Sequence, residues 1–189
     1  TGGIVSGKST VSKIFQEEHN AYVFDADKEA KLLLLDKKIS EEILDTFPDL
    51  KSTDPASMSK IVFKNKENQQ KLNAILHPAV NVELLKRVEK IRHEKKHKIF
   101  IVDAALIIES GSYKYYHESG AYIILLTSLK SVRIERALSR GNLSEESIKE
   151  RMDLQWDDDK KKDYVDYILE NNDSLDQLKS STTFLVKEI

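Results

Sequence analysis

Thr1-Gly2-Gly3-Ile4-Val5-Ser6-Gly7-Lys8-Ser9-Thr10 opens the chain as a glycine-rich run ending in Lys-Ser-Thr. Gly2, Gly7, Lys8 and Ser9 fit G-x-x-x-x-G-K-[ST], a loop that wraps phosphate. The glycines let the backbone curl so that successive N–H groups turn toward phosphate oxygens. A helix starting at Lys8 adds its positive N-terminal end. In this pattern Lys8 reaches the β- and γ-phosphates, and the Ser9 hydroxyl holds Mg²⁺. The bland alternative is a glycine-rich turn before a helix, but Lys-Ser directly after the second glycine is a demanding match. Such a loop normally follows a buried strand. The sequence begins at the loop, so a first strand is expected to be missing ahead of Thr1.

Downstream, helical and strand patterns alternate. Lys8 to Glu18 carries Val11, Ile14 and Phe15 on one helix face. Ala21 to Phe24 is a short strand ending at Asp25-Ala26-Asp27, and Lys28 to Leu35 and Ile39 to Phe47 are helical. Met58 to Glu94 is a helical region in which Pro78 is expected to start a new helix. Ile99 to Val102 and Ala121 to Leu126 are apolar runs suited to parallel strands buried on both faces. Leu129 to Leu138 is helical and ends in the turn Arg140-Gly141-Asn142. Leu143 begins another helix, with Ser144 and Ser147 as candidate caps. Val165 to Leu169 is the last strand, and a final helix starts within Asp173 to Leu178.

This alternation indicates an α/β protein with a parallel sheet and right-handed crossovers. Ligands in such sheets lie beyond the carboxyl ends of the strands. Asp25, Asp27, Asp103, Thr127 and Asn171-Asn172 all fall at those ends. Residues 49–95 are too many for a simple crossover, so they read as an inserted helical lobe for a second substrate. The core is then 1–48 with 96–189, including a lid at about 139–160.

The composition bounds the function. The 189 residues suit one core with insertions, and the net charge of −2 gives no ground for a nucleic-acid or membrane partner held by bulk charge. No cysteine is present, which excludes disulfides and thiolate metal sites and agrees with a reducing, cytoplasmic interior. No run reaches the ~18 apolar residues of a membrane span. The lysine-rich stretches, Lys160-Lys161-Lys162 among them, read as solvated surface.

Several residues carry candidate chemistry. Asp25 and Asp27 could supply a carboxylate for an acceptor hydroxyl and an acidic group for Mg²⁺; equally, Asp27 could cap the helix at Lys28. Asp103, after an apolar strand, suits a Mg²⁺ ligand acting through water, though many such strands end in Asp. Arg133, Arg136 and Arg140 share a helix face. Arg140, beside the Gly141 turn, reads as a phosphate-facing lid arginine. Arg133 reads as exposed, with Glu135 and Glu146 as salt partners. His77 reads as a structural or substrate-contacting residue at a helix start, and Trp156, Tyr113, Tyr115 and Tyr116 as packing or interface residues.

Taken together, these segments resemble the dephospho-coenzyme A kinase family. Thr1 to Thr10 is similar to T-G-G-I-G-S-G-K-S-T, and Phe24-Asp25-Ala26-Asp27 to [VI]-D-A-D. Leu72-Asn73-Ala74-Ile75-Leu76-His77-Pro78 matches L-N-x-[IL]-x-H-P. Asp103 to Glu109 is similar to D-x-P-L-L-x-E, and Asp166 to Asn171 to D-Y-V-I-D-N. Arg140, Ser144-Glu145-Glu146 and Arg151 through Gln155 match the family's lid.

The resemblance implies a three-layer P-loop NTPase fold of about five strands and a kinase that phosphorylates the 3′-hydroxyl of dephospho-CoA with ATP and Mg²⁺. It implies that Val5, Ser6, Gly7, Lys8, Ser9 and Thr10 bind the ATP phosphates, with Arg140 beside them and Asn171 at the adenine. Asp27 becomes the base, and Asp25 supports it or, with Ser9 and Asp103, the Mg²⁺. Leu72, His77 and Pro78 receive the dephospho-CoA. Val5 stands where the family has Gly, and Ala105 where it has Pro. A β-branched residue at position 5 is costly if the loop needs positive φ there and harmless otherwise. Two rival readings stay open: another small-molecule P-loop kinase, and a nucleotide-gated binding module.

Overall fold

The computed structural model describes residues 1–62, 65–141 and 144–189. In chain order these form α1 (Lys8–Glu18), β1 (Ala21–Asp25), α2 (Ala26–Leu33), α3 (Lys37–Thr46), α4 (Pro55–Ile61), α5 (Lys66–Glu94), β2 (Ile99–Asp103), α6 (Tyr113–Glu118), β3 (Ile124–Thr127), α7 (Lys130–Ser139), α8 (Glu145–Asp153), α9 (Asp158–Lys161), β4 (Tyr167–Glu170) and α10 (Leu175–Glu188). The strands pair as β1 with β2 and β3 with β4. Asn142 of the expected turn and Leu143, the expected helix start, lie outside the described residues. No helix among the described residues is long and apolar enough to cross a membrane.

Two compact units emerge: residues 24–102, and residues 1–23 with 103–189. In the second, β3 and β4 run parallel from Ile124 opposite Tyr167 to Thr127 opposite Glu170. Gly2 bridges to Leu126 in parallel fashion, and the Leu126 N–H donates to the Thr1 carbonyl at 2.9 Å. The Asp166 carboxylate accepts the Ile123 N–H at 2.7 Å, which starts β4 at Tyr167 rather than at Val165. α1 buries Val11, Ile14 and Phe15 as its spacing requires, and α10 buries Leu178, Thr182 and Leu185. The two helices pack together, with Lys179 paired to Glu18 at 2.8 Å.

Residues 24–102 are built on one apolar cluster: Ile43, Phe47, Leu50, Met58, Val62, Leu72 and Leu76. Short polar residues start its helices. Asp36, Asp54 and Asn65 cap α3, α4 and α5, each accepting backbone N–H groups, and Pro55 occupies the first turn of α4.

Here the expectation for Pro78 is corrected. α5 runs unbroken through it. Proline deprives the Ala74 carbonyl of its helical partner, at a cost of about 3 kcal/mol. Four buried apolar side chains, Leu72 and Leu76 before it and Leu84 and Ile91 after it, offset that, each at roughly 1.5–3 kcal/mol.

Other expectations fail in the larger unit, where charge is buried by tertiary contacts. Lys161 is not solvated: it is fully buried, with Nζ 2.8 Å from Glu109 Oε1. Arg133 is buried as well, and its partner is Asp158 on α9 at 3.7 Å, not Glu135 or Glu146. α6 was not foreseen, because its sequence Tyr-Lys-Tyr-Tyr-His-Glu is rich in strand-favouring aromatics. It is held from outside, by Tyr113 edge-on to Tyr164 at 5.0 Å and by His117 Nε2 at 3.3 Å from Asp166 Oδ2.

Candidate nucleotide site

The opening loop ends at Gly7, the residue before α1, in the left-handed conformation at φ 103°. A side chain there would collide with the amide of Asn171. Glycine therefore satisfies both the turn and the close approach. The Gly7 carbonyl accepts from Thr10 and Val11 N–H at 2.9 and 3.1 Å, and the Ser6 N–H donates to Gly3 O at 3.1 Å. With glycine at the cap and no acidic residue in the first turn, the start of α1 keeps its attraction for an anion. Lys8 is the first residue of that helix and is half-buried; Ser9 and Thr10 follow, exposed. Ser6 is buried, and its hydroxyl has no hydrogen-bond partner among the described residues.

Val5 has φ 60°. Position 5 of this loop therefore lies in the left-handed region, and the chain places a β-branched residue there.

Asn171 ties the end of β4 to the loop. Its Nδ2 donates to the Ser6 carbonyl at 2.8 Å, and its own N–H donates to Thr127 O at 2.9 Å. Its carbonyl accepts from Ser128 Oγ at 2.8 Å and from an Arg136 guanidinium N–H at 2.9 Å. Val5, Gly7, Thr10, Arg136, Arg140 and Asn171 line one open cleft. Arg140 is exposed at the end of α7, directly before Gly141 at φ 70°. Arg136, not singled out from the sequence as a site residue, is one helical turn before it; the shared spacing with Arg140 was the available signal.

At the end of β2, Asp103 Oδ2 accepts from Ser12 Oγ at 2.9 Å. Ser12 stands three residues after Ser9 on α1, so Asp103 is anchored along the helix face that carries Ser9. Oxygen donors of this kind suit a hard divalent cation that keeps most of its water. No cluster of three or more His, Asp or Glu side chains able to cage a metal occurs among the described residues.

The remaining candidates belong to residues 24–102. Asp25 Oδ1 accepts the Lys28 N–H at 2.8 Å, so Asp25 caps α2; the alternative of Asp27 as the cap is corrected. Asp27 lies exposed in the first turn of α2, where the helix end favours negative charge. Leu72 is buried in the lobe's apolar cluster, so its part is to shape the lobe. His77 and Pro78 lie on α5, His77 half-buried and Pro78 exposed. Burial lowers the His77 pKa below its ordinary 6.5, which favours the neutral imidazole.

With this geometry in place, the chain can be set beside known proteins. The family model for dephospho-CoA kinase matches residues 1–177. A dephospho-CoA kinase of Fusobacterium nucleatum is 34% identical over 183 residues, spanning 94% of this chain and 90% of that one. Among solved structures, a Thermus thermophilus protein superposes with a TM-score of 0.81 at 25% identity, covering 100% of this chain and 94% of its own. A dephospho-CoA kinase from Campylobacter jejuni superposes with a TM-score of 0.65 at 28% identity, covering 99% and 93%. A P-loop kinase fold and a family match over nearly the full length agree with the glycine-capped, acid-free start of α1: the chain belongs to the dephospho-CoA kinase family.

Proposed function

We propose that this chain transfers the γ-phosphoryl group of ATP to the 3′-hydroxyl of dephospho-CoA, giving coenzyme A and ADP. The observation that carries the reading is the Gly7-capped, acid-free start of α1, with Lys8 as its first residue. The triphosphate lies along Val5 to Thr10. Lys8 and Arg140 meet the charge that spreads over the transferring oxygens. The acceptor oxygen forms its bond to Pγ as the bond from Pγ to the β-bridging oxygen breaks, and the hydroxyl proton passes to the Asp27 carboxylate. Asn171 borders the adenine, and the lobe carrying Leu72, His77 and Pro78 receives the acceptor.

Ser9, Asp103 and Asp25 are the residues that would hold Mg²⁺, the first through its hydroxyl and the carboxylates through water. When bound, the ion supplies charge neutralisation at the β- and γ-oxygens.

An acceptor panel tests the reading. With ATP consumption and product formation as readouts, dephospho-CoA should exceed nucleosides, shikimate and gluconate in kcat/KM by at least about a hundredfold, a margin that paired polar contacts to the right acceptor supply. A different acceptor in first place would replace this function. ATP hydrolysis without any phosphorylated acceptor would favour a nucleotide-gated module instead.

A further inference from the structure

Both backbone polar groups of Ile4 are taken by side chains from outside the loop. Its N–H donates to Gln155 Oε1 at 2.7 Å, and its carbonyl accepts from Arg133 Nε at 2.9 Å. The Ile4 and Val5 side chains pack on a cluster of Ala137, Ile148 and Met152 from α7 and α8. Arg133 passes close to Gly3, where a Cβ would come within 2.7 Å of its Cζ, and its Nη1 lies 3.7 Å from Asp158 Oδ2. This grip falls on the two peptides either side of Ile4, directly before Val5, the β-branched residue at φ 60°. A residue held in that region persists only where its surroundings over-determine it.

We propose that Arg133 is a positioning residue for phosphate binding: with Gln155 it braces the Ile4–Val5 turn, holding the loop curled where glycine would otherwise be needed. Arg133 acts through the backbone of the loop and does not itself touch the nucleotide. The inference rests on reading the loop as the seat of the ATP phosphates. It adds that α7, α8 and the segment directly after α8 set the loop's shape.

The brace and the positive φ are two answers to one problem, so their effects must be coupled. In the parent chain, Arg133→Met should weaken ATP binding, measured by calorimetric titration without acceptor, about tenfold, the scale of a lost charge-assisted hydrogen bond. In a Val5→Gly background the same substitution should cost less than about threefold, because glycine holds the turn unaided. The KM for the acceptor should not move in either background. A residue needed only for general stability would lower the melting temperature equally in both backgrounds and show no such coupling.

Equal losses of ATP affinity in the two backgrounds, or no loss in the parent, would overturn the brace. If Arg133→Met does not fold, Gln155→Leu removes the acceptor for the Ile4 N–H and takes its place in the same pair of backgrounds. ATP binding is read without acceptor, so a parent chain that fails to phosphorylate dephospho-CoA would refute the proposed reaction and leave the brace to be decided on the ATP titrations.

Discussion

At Val5 two residue-level effects compete. Holding an L-residue in the left-handed region costs roughly 1–2 kcal/mol. The half-buried side chain on the Ala137, Ile148 and Met152 cluster returns about as much through burial. Val5→Gly should therefore leave stability within about 1 kcal/mol of the parent, while Val5→Ala keeps the strain, loses the packing and should be the less stable of the two. That order reverses the usual alanine-over-glycine preference. Urea denaturation decides it, and an alanine variant more stable than the glycine variant would place position 5 outside the left-handed region. Lys161 is a second such case. Its ammonium is fully buried against Glu109, whose second oxygen has no hydrogen-bond partner among the described residues. Lys161→Met strands that carboxylate and should cost about 3–5 kcal/mol, a large part of a domain's roughly 5–15 kcal/mol. A melting temperature within a few degrees of the parent would show the pair to be dispensable.

The helices show where local rules suffice and where they fail. α1 was legible to the residue, because Gly7 and the Val11, Ile14 and Phe15 spacing are local signals. Ser144 was legible as a cap for the same reason, and it accepts the Ser147 N–H at 3.2 Å. Pro78 misled, because the local rule counts the lost hydrogen bond and not the apolar residues buried on both sides of it. Lys161 and Arg133 misled because lysine and arginine side chains are exposed by default. Only the fold brings Glu109 and Asp158 to them. In the candidate site, the curled loop and the place of Asp103 at the end of β2 could be read from motif and strand pattern. The hold of Asn171 on Ser6, 165 residues away in sequence, could not. Pro78 also gives a prediction at this scale: Pro78→Ala restores a helical N–H and should raise stability by about 1–3 kcal/mol in thermal unfolding. A destabilised variant would contradict a continuous α5.

For the molecule as a whole, the proposed reaction draws on residues of both units. Residues 1–23 with 103–189 contain the proposed phosphate loop, Asp103, Arg136, Arg140 and Asn171; residues 24–102 contain Asp27 and the helical lobe proposed for the acceptor. Binding of ATP and activation of the acceptor should then separate. Asp27→Asn should bind ATP within about twofold of the parent, yet lose about a hundredfold or more in kcat, the scale of a general base. Near-normal turnover in that variant would remove Asp27 from its role. The product itself decides the reaction: dephospho-CoA is incubated with the chain, ATP and Mg²⁺ and then analysed by mass spectrometry and phosphorus NMR. One added phosphate on the ribose 3′-oxygen, formed in step with ADP, is the expected result. Phosphate released only to water, or attached at another position, would contradict it.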